Sequence, residues 1–92
     1  MEALTLETFT QRKRDQGYDQ VLVREWAPLF ENAPHEHPFD TDALVVRGEF
    51  WLTMDGQTRH VQVGDTFTVP RGVRHAERYG AQGATFWAAR KN

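Results

Sequence analysis

The sequence predicts an all-β fold, a single antiparallel β-barrel or sandwich preceded by one short helix. Its 92 residues suffice for one domain. From residue 18 onward, about seven short segments rich in β-forming residues are separated by turn signals roughly every eight to twelve residues, and no second helical pattern interrupts them. We therefore expect an N-terminal helical segment over residues 1–17 and a barrel over residues 18–92.

The N-terminal segment carries the signals of a helix over roughly residues 6–16. Thr5 can cap its start, and Gly17 can end it. Leu6 and Phe9, at i, i+3 spacing, form its only apolar edge. Because two apolar residues cannot carry a core, we expect this helix to pack as a flap on the larger body.

The strands of the barrel are predicted from alternating apolar and polar residues and from the turns between them. Asp55-Gly56 is the clearest turn signal, since a two-residue hairpin turn needs positive φ. Further turns are expected at Pro70-Arg71-Gly72 and between Gly80 and Gly83. The predicted strands cover residues 18–26, 35–37, 43–46, 50–54, 57–63, 66–69, 73–79 and 84–89.

Charge and composition disfavour nucleic acid and membrane partners. The net charge is −2 with both signs interspersed, so the basic excess of a nucleic-acid binder, including a barrel of the oligonucleotide-binding type, is lacking. The one basic run, residues 12–14, is interpreted as the solvated face of the helix. No apolar run approaches the roughly 20 residues that span a bilayer, and no signal-peptide pattern opens the sequence. The cytoplasm is therefore the expected location.

Three of the four histidines are the candidate metal ligands. The chain has no cysteine, so a metal ion would be held by nitrogen and oxygen atoms. His35 and His37 would lie on one face of a strand, about 7 Å apart. His75 follows a proline-containing turn on a separate strand, and nitrogen-ligand metal sites usually draw on several strands. His60 alternates with Val61 and is interpreted as a surface residue.

Two spaced motifs resemble those of the cupins, small jelly-roll barrels related to germin and seed-storage proteins. The second cupin motif, G-x5-P-x-G-x2-H-x3-N, is matched at Gly64, Pro70, Gly72 and His75, with Tyr79 in place of the final Asn. The match therefore covers every position of that motif but its last.

The first cupin motif, G-x5-H-x-H-x3,4-E-x6-G, is matched at His35, His37 and Gly48. The resemblance covers about residues 18–92 and implies an antiparallel jelly-roll barrel of roughly six to eight strands. It also implies a divalent metal ion (Zn, Ni, Fe or Mn) inside the barrel, held by His35, His37 and His75.

The fourth cupin ligand, a Glu, has no clear counterpart in this sequence. Counting forward from His37 with four intervening residues reaches Asp42, which has the right charge but a shorter side chain. Counting back from Gly48 with six intervening residues reaches Thr41, a poor ligand. A slip of one residue reverses the face of a strand, so Asp42 is a tentative ligand.

The sequence leaves three alternatives to Asp42 open. Glu77 follows His75 at i+2 on the same face and has the longer carboxylate side chain. Asp40 is a further candidate, although it suits a turn. A water molecule can also complete a three-histidine site and leave a position open for substrate.

These observations lead to two functional hypotheses. The first is a metal-dependent cupin acting on a small organic substrate, with Glu77 or Tyr79 as candidates for proton transfer. Dioxygenation, isomerisation and lyase chemistry follow from the resemblance alone, because a fold does not determine a reaction. The second is a non-catalytic module that binds or senses a small ligand; as a transcription regulator it would need a partner with a DNA-reading unit. Open strand edges and exposed aromatic residues favour a homodimer in either case.

Overall fold

The computed structural model describes residues 4–92 and contains one helix followed by six antiparallel strands. The elements are α1 (Leu6–Asp15), β1 (Gln20–Trp26), β2 (Glu31–His35), β3 (Asp40–Met54), β4 (Gln57–Gln62), β5 (Thr66–Val69) and β6 (His75–Lys91). The predicted fold class, an antiparallel jelly-roll barrel with a short N-terminal helix, is confirmed. The division at residue 17 stays a prediction, and residues 1–3 of that segment lie outside the described residues.

Two long strands, β3 and β6, run side by side through the whole barrel and divide it into two half-sheets. At one end, β1 and β5 flank them, because β1 pairs with the second half of β6 and β5 with the start of β3. At the other end, β2 pairs with the start of β6 and β4 with the second half of β3. Each half-sheet therefore depends on both long strands.

Gly48 and Gly83 allow β3 and β6 to bend where the half-sheets meet. Both have positive φ, +73° and +70°, a region that favours glycine. A Cβ on Gly48 would lie 2.1 Å from the carbonyl oxygen of Gly83, and a Cβ on Gly83 would lie 2.2 Å from that of Trp26. The close approach of three strands thus requires both glycines.

This bend corrects two sequence predictions. The turn expected between Gly80 and Gly83 is wrong, because β6 continues from His75 to Lys91 without reversing. The separate strands predicted over 43–46 and 50–54 are parts of the single strand β3. In both cases the glycines accommodate a bend within paired strands, which a sequence cannot distinguish from a chain reversal.

Two local predictions agree with the structure. Asp55 and Gly56 have φ of 54° and 74°, as a two-residue turn with positive φ at both positions requires. The Thr5 side chain caps α1 by accepting a hydrogen bond from the Thr8 amide at 3.1 Å. The helix ends at Asp15, one residue earlier than predicted.

Helix α1 covers the outer face of the half-sheet that contains β1. Its Phe9 side chain is buried, with its ring centroid 5.7 Å from that of Trp87 on β6. Lys13 forms an ion pair with Asp42 on β3. The helix therefore packs as the expected flap.

Helix α1 is the one helix within residues 4–92, and it is too short and polar to cross a membrane.

The barrel interior near the bend is filled by aromatic side chains. Tyr79 is 1% exposed, and its ring lies between those of Trp26 and Phe50, with both centroids 5.3 Å away. Phe67 and Phe86 extend this cluster around Phe50. Fully burying each large apolar side chain contributes roughly 1.5–3 kcal/mol, so this cluster is a large favourable contribution to the stability of a small domain.

We expect Gly83→Ala to lower the free energy of unfolding by about 3 kcal/mol or more. The added Cβ would overlap the backbone carbonyl oxygen of Trp26 on β1, and alanine would also have to adopt the positive φ of this position. Gly56→Ala is the matched control: its φ is also positive, but no atom lies within 4 Å of the added Cβ. It should cost only about 1–2 kcal/mol. Urea unfolding measures both, and equal losses would contradict the role assigned to the close approach at Gly83.

Candidate metal centre

Three imidazoles from different parts of the chain meet at one end of the barrel. His35 ends β2, His75 begins β6, and His37 follows β2. Each offers a ring nitrogen, and these nitrogens lie within 4.8 Å of one another. The ring centroids are 4.3 Å apart for His35 and His75, and 4.9 Å apart for each pair that includes His37. The structure therefore brings together the three histidines that the sequence singled out.

The way in which His35 and His37 converge differs from the prediction. The sequence placed both on one strand, but β2 ends at His35. The His37 backbone carbonyl instead accepts a hydrogen bond from the Gly72 amide at 2.9 Å. Its ring stacks on that of Phe39 at 4.8 Å. This hydrogen bond between the two motif segments, together with the contact to Phe39, positions His37 beyond the end of β2.

Backbone carbonyls fix the tautomer of two of the histidines. Nδ1 of His35 donates to the Ala33 carbonyl at 2.7 Å, and Nδ1 of His75 donates to the Val73 carbonyl at 3.0 Å. A carbonyl only accepts, so the proton must lie on Nδ1 in each ring. The Nε2 lone pair is then free to bind a metal ion, as in the hydrogen-bonded histidines of known metal sites.

His37 is held in its neutral form. Burial lowers its pKa to about 4, assisted by the charges that His75, His35, Arg90 and Arg24 would contribute. At neutral pH the His37 ring therefore carries a lone pair rather than a second proton. A neutral imidazole is the form that binds a metal ion.

Glu77 is the carboxylate that the structure places beside the histidines. Its Oε1 lies 3.7 Å from Nε2 of His75, and its Oε2 lies 3.8 Å from Nε2 of His35. The side chain is only 10% exposed, and Oε2 is buried without a hydrogen-bond partner. Burial raises the pKa of Glu77, against the opposing influence of His75 and His35. Among the carboxylates considered from the sequence, Glu77 is the one in position to act with the cluster.

The structure does not bring Asp42 to the histidines. Its Oδ2 lies 2.5 Å from Nζ of Lys13, and its Oδ1 accepts a hydrogen bond from Thr68 at 3.3 Å. The neighbouring Thr41 is buried and faces the interior. Successive side chains of β3 face opposite sides of the sheet. Thr41, reached by counting back from Gly48, therefore faces the interior, and Asp42, reached by counting forward from His37, faces the other side.

Asp40 also lies apart from the histidines and has a structural role. Its Oδ1 accepts a hydrogen bond from the Arg71 amide at 2.7 Å. It therefore anchors the turn that precedes β6, which agrees with its interpretation as a turn residue.

Two further predicted residues have clear environments. The Tyr79 hydroxyl is buried without a hydrogen-bond partner, and burial followed by the charge of Glu77 raises its pKa above the ordinary value. It therefore stays protonated at neutral pH and can donate a hydrogen bond, but it does not act as a base. His60 stacks on Trp51 at 4.6 Å and lies 3.5 Å from Glu49, away from the other histidines, as predicted for a surface residue.

Sequence reasoning missed two residues that flank the cluster, Arg24 on β1 and Arg90 on β6. Both act on the pKa of His37. Neither belongs to a cupin motif, and only the pairing of β1 with the end of β6 brings them to the same part of the barrel. The one signal in the sequence for Arg24 was the alternation of β1, which places its side chain on the inward face of that strand.

Comparison with known proteins establishes the family. The family model of the cupin domain matches residues 23–84, more than half of the chain, so the chain belongs to the cupin family. Germin-like protein 3-5 of Oryza sativa subsp. japonica is 38% identical over 60 residues, covering 55% of this chain and 26% of the relative. The matched part of the chain therefore spans about a quarter of the length of these curated relatives.

Solved structures share the fold. An RmlC-like cupin from Shewanella frigidimarina NCIMB 400 superposes with a TM-score of 0.69 at 25% identity, covering 79% of this chain and 66% of that one. The DMSP lyase DddQ of Ruegeria pomeroyi DSS-3 superposes with a TM-score of 0.72 at 22% identity, covering 78% and 37%. At these identities the likeness supports the jelly-roll fold and does not define a substrate.

We expect Glu77→Gln to stabilise the metal-free protein on the order of 1 kcal/mol at neutral pH, because it removes a buried negative charge that lacks a hydrogen bond. Glu25→Gln, on the exposed outer face of β1, is the control and should change little. Urea unfolding after metal removal measures both. A Glu77→Gln variant less stable than the parent would show that the histidines already compensate the charge.

Proposed function

We propose that this cupin domain binds one divalent metal ion, Zn, Ni, Fe or Mn, through His35, His37 and His75. The observation that carries the proposal is the approach of their ring nitrogens to within 4.8 Å of one another. Metal–nitrogen bonds of about 2.0–2.1 Å place tetrahedral ligands roughly 3.4 Å apart, so shifts of about 1 Å would close the ligands onto an ion.

The donor set suits such an ion. His35 and His75 have their Nδ1 protons committed to backbone carbonyls, and His37 is neutral. Imidazole nitrogen is a good ligand for first-row divalent metals, and the four named metals are not distinguished by it. Three protein ligands also leave coordination positions open. When bound, the ion would supply Lewis-acid chemistry to an oxygen atom of a small organic molecule.

Glu77 is the residue we propose to hold or move a proton at this site. Its carboxylate oxygens lie 3.7 and 3.8 Å from Nε2 of His75 and of His35. Burial raises its pKa, which brings a carboxylic acid closer to the range useful for general acid–base work. The same position would also let Glu77 serve as the fourth ligand. Tyr79, two residues further along β6, is a protonated donor behind it.

The site is open to solvent on the side of His35 and His37. Both are half-buried, whereas His75 is 3% exposed. A small molecule would therefore meet His35 and His37 first, while His75 and Glu77 form the floor. We propose a small organic ligand or substrate on this basis. Turnover assays would separate an enzyme from a ligand-binding module.

The homodimer and the cytoplasmic location expected from the sequence stay predictions. Exposed apolar side chains, notably Leu29 at 73% and Val63 at 61%, are compatible with self-association. Sedimentation equilibrium tests the homodimer, and a monomer at micromolar concentration would contradict it.

Replacing His35, His37 and His75 together with Ala should reduce bound metal from about one ion per chain to near zero. Elemental analysis after dialysis against each of the four metals measures this. His60→Ala is the matched control, since His60 lies outside the cluster, and should keep the parent content. Circular dichroism confirms that the variants fold. Equal metal content in the triple variant and the parent would refute the proposed site.

A further inference from the structure

Two arginines differ from the others in the part of the chain that the structure describes. Arg24 and Arg90 are half-buried. Burying a cationic side chain is costly unless an anion accompanies it. The remaining arginines within residues 4–92 are exposed: Arg12, Arg14, Arg47, Arg59, Arg71, Arg74 and Arg78.

Arg24 belongs to the inward-facing set of β1. It is paired with Phe86 of the core, and its guanidinium carbon lies 4.9 Å from the centroid of the Trp26 ring. The stack holds the planar group over an aromatic face. Within residues 4–92, no ion pair closer than 4.0 Å includes Arg24, and its charge reaches Glu77 only from a longer distance, where it opposes the rise in the pKa of that carboxyl.

Arg90 lies on the histidine side of the same interior. Its guanidinium carbon is 4.4 Å from the centroid of Phe39, whose other neighbour is the ring of His37. Arg90 is paired in register with Thr41, which occupies the inward position where the cupin motif has a Glu. A layered arrangement of Arg90, Phe39 and His37 thus links this cation to the cluster.

The two arginines lie on the interior side of the same pair of strands. Arg24 on β1 is opposite Phe86, and Arg90 on β6 is opposite Gln20 in the same ladder. In keeping with this arrangement, burial and then the charge of Arg24 lower the pKa of Arg90. Within residues 4–92, the ion pairs closer than 4.0 Å include neither arginine. Two cations consequently share one region without a carboxylate in contact.

Two buried donors next to Arg24 also lack hydrogen-bond partners. They are Nε1 of Trp26, over which Arg24 stacks, and the hydroxyl of Tyr79, whose ring stacks on Trp26 at 5.3 Å. Buried donors are normally satisfied. Both atoms are closed to solvent, so they mark a surplus of donors beside Arg24 rather than direct contacts of a ligand.

We propose that Arg24 and Arg90 form an anion-recognition pair beside the histidine cluster, so that this site selects small organic molecules carrying a carboxylate or phosphate group. The proposal rests on the proposed function and narrows its substrate class. A guanidinium presents a rigid fork of N–H donors that matches the oxygens of either group. The anion would be bound by the arginines, and the remainder of the molecule would lie towards His35 and His37.

Isothermal titration with malonate, inorganic phosphate and neutral malonamide tests the proposal. Metal-loaded protein is compared with metal-free protein prepared with 1,10-phenanthroline, a chelator without carboxylates, and then dialysed. We expect malonate or phosphate to bind at least about tenfold more tightly than malonamide, as charge-assisted hydrogen bonds require. The stronger of the two anions identifies the carboxylate or the phosphate class.

Arg24→Gln and Arg90→Gln should each weaken the binding of that anion by about tenfold or more. Arg78→Gln is the matched control, because Arg78 also stacks on an aromatic ring, Trp51 at 4.6 Å, but is exposed. It should keep the parent affinity. Elemental analysis of the same samples should show equal metal content in the parent and all three variants.

The proposal is overturned if neither anion binds more tightly than malonamide, with or without metal. This test uses the parent protein alone, so it does not depend on the folding of any variant. It is also overturned if Arg78→Gln loses as much affinity as Arg24→Gln. Failure of the metal site has a different signature. The parent would then lack metal, while the preference of the metal-free protein for an anion over malonamide would still decide the role of the arginines.

Discussion

The pairing of β2 with β6 is the constraint on which the candidate site depends. His35 lies directly opposite His75 in this ladder, so two imidazoles are adjacent because two strands are in register. A bulge between Asn32 and His35 adjusts that register just before the histidine. The Gly72 amide then draws the His37 carbonyl towards the turn before β6. Backbone hydrogen bonds, more than side-chain contacts, bring the three rings together.

The interior of the barrel is divided between apolar and polar chemistry along one strand. His75, Glu77 and Tyr79 alternate onto the same inward face of β6. Tyr79 enters the aromatic cluster around Phe50, while Glu77 and His75 lie where the barrel opens. A carboxylate next to that cluster has little water around it, which is the physical cause of its raised pKa. Packing that stabilises the domain therefore also sets the electrostatics of the site.

The sequence was sufficient for those parts of the structure that depend on local signals. Turn chemistry located Asp55-Gly56, and motif spacing located the three histidines. It failed where strand parity or long-range pairing decides the outcome. Asp42 has the right charge one position out of step, so it faces Lys13 instead of the interior. Gly83 suggested a turn because glycine is favoured wherever φ is positive, and φ is positive both in turns and in the bend that β6 makes here.

Arg24 and Arg90 show a second limit of the sequence. They are far apart along the chain, and only the pairing of β1 with β6 places both on the interior side of the barrel. No spacing rule connects such residues. A charged residue at an inward-facing position of an edge strand nevertheless indicates a functional site, since a charge there is rarely tolerated without a ligand or partner.

Sharing β3 and β6 between both half-sheets has a consequence for the dynamics of the domain. Because β3 and β6 belong to both halves, opening of one half also loosens the paired strands at the bend that leads into the other. Amide exchange along the two long strands would then occur mainly through global unfolding, while the edge strands exchange through local fraying. In such a domain, a ligand that tightens one end would slow exchange at the opposite end without any movement of the backbone.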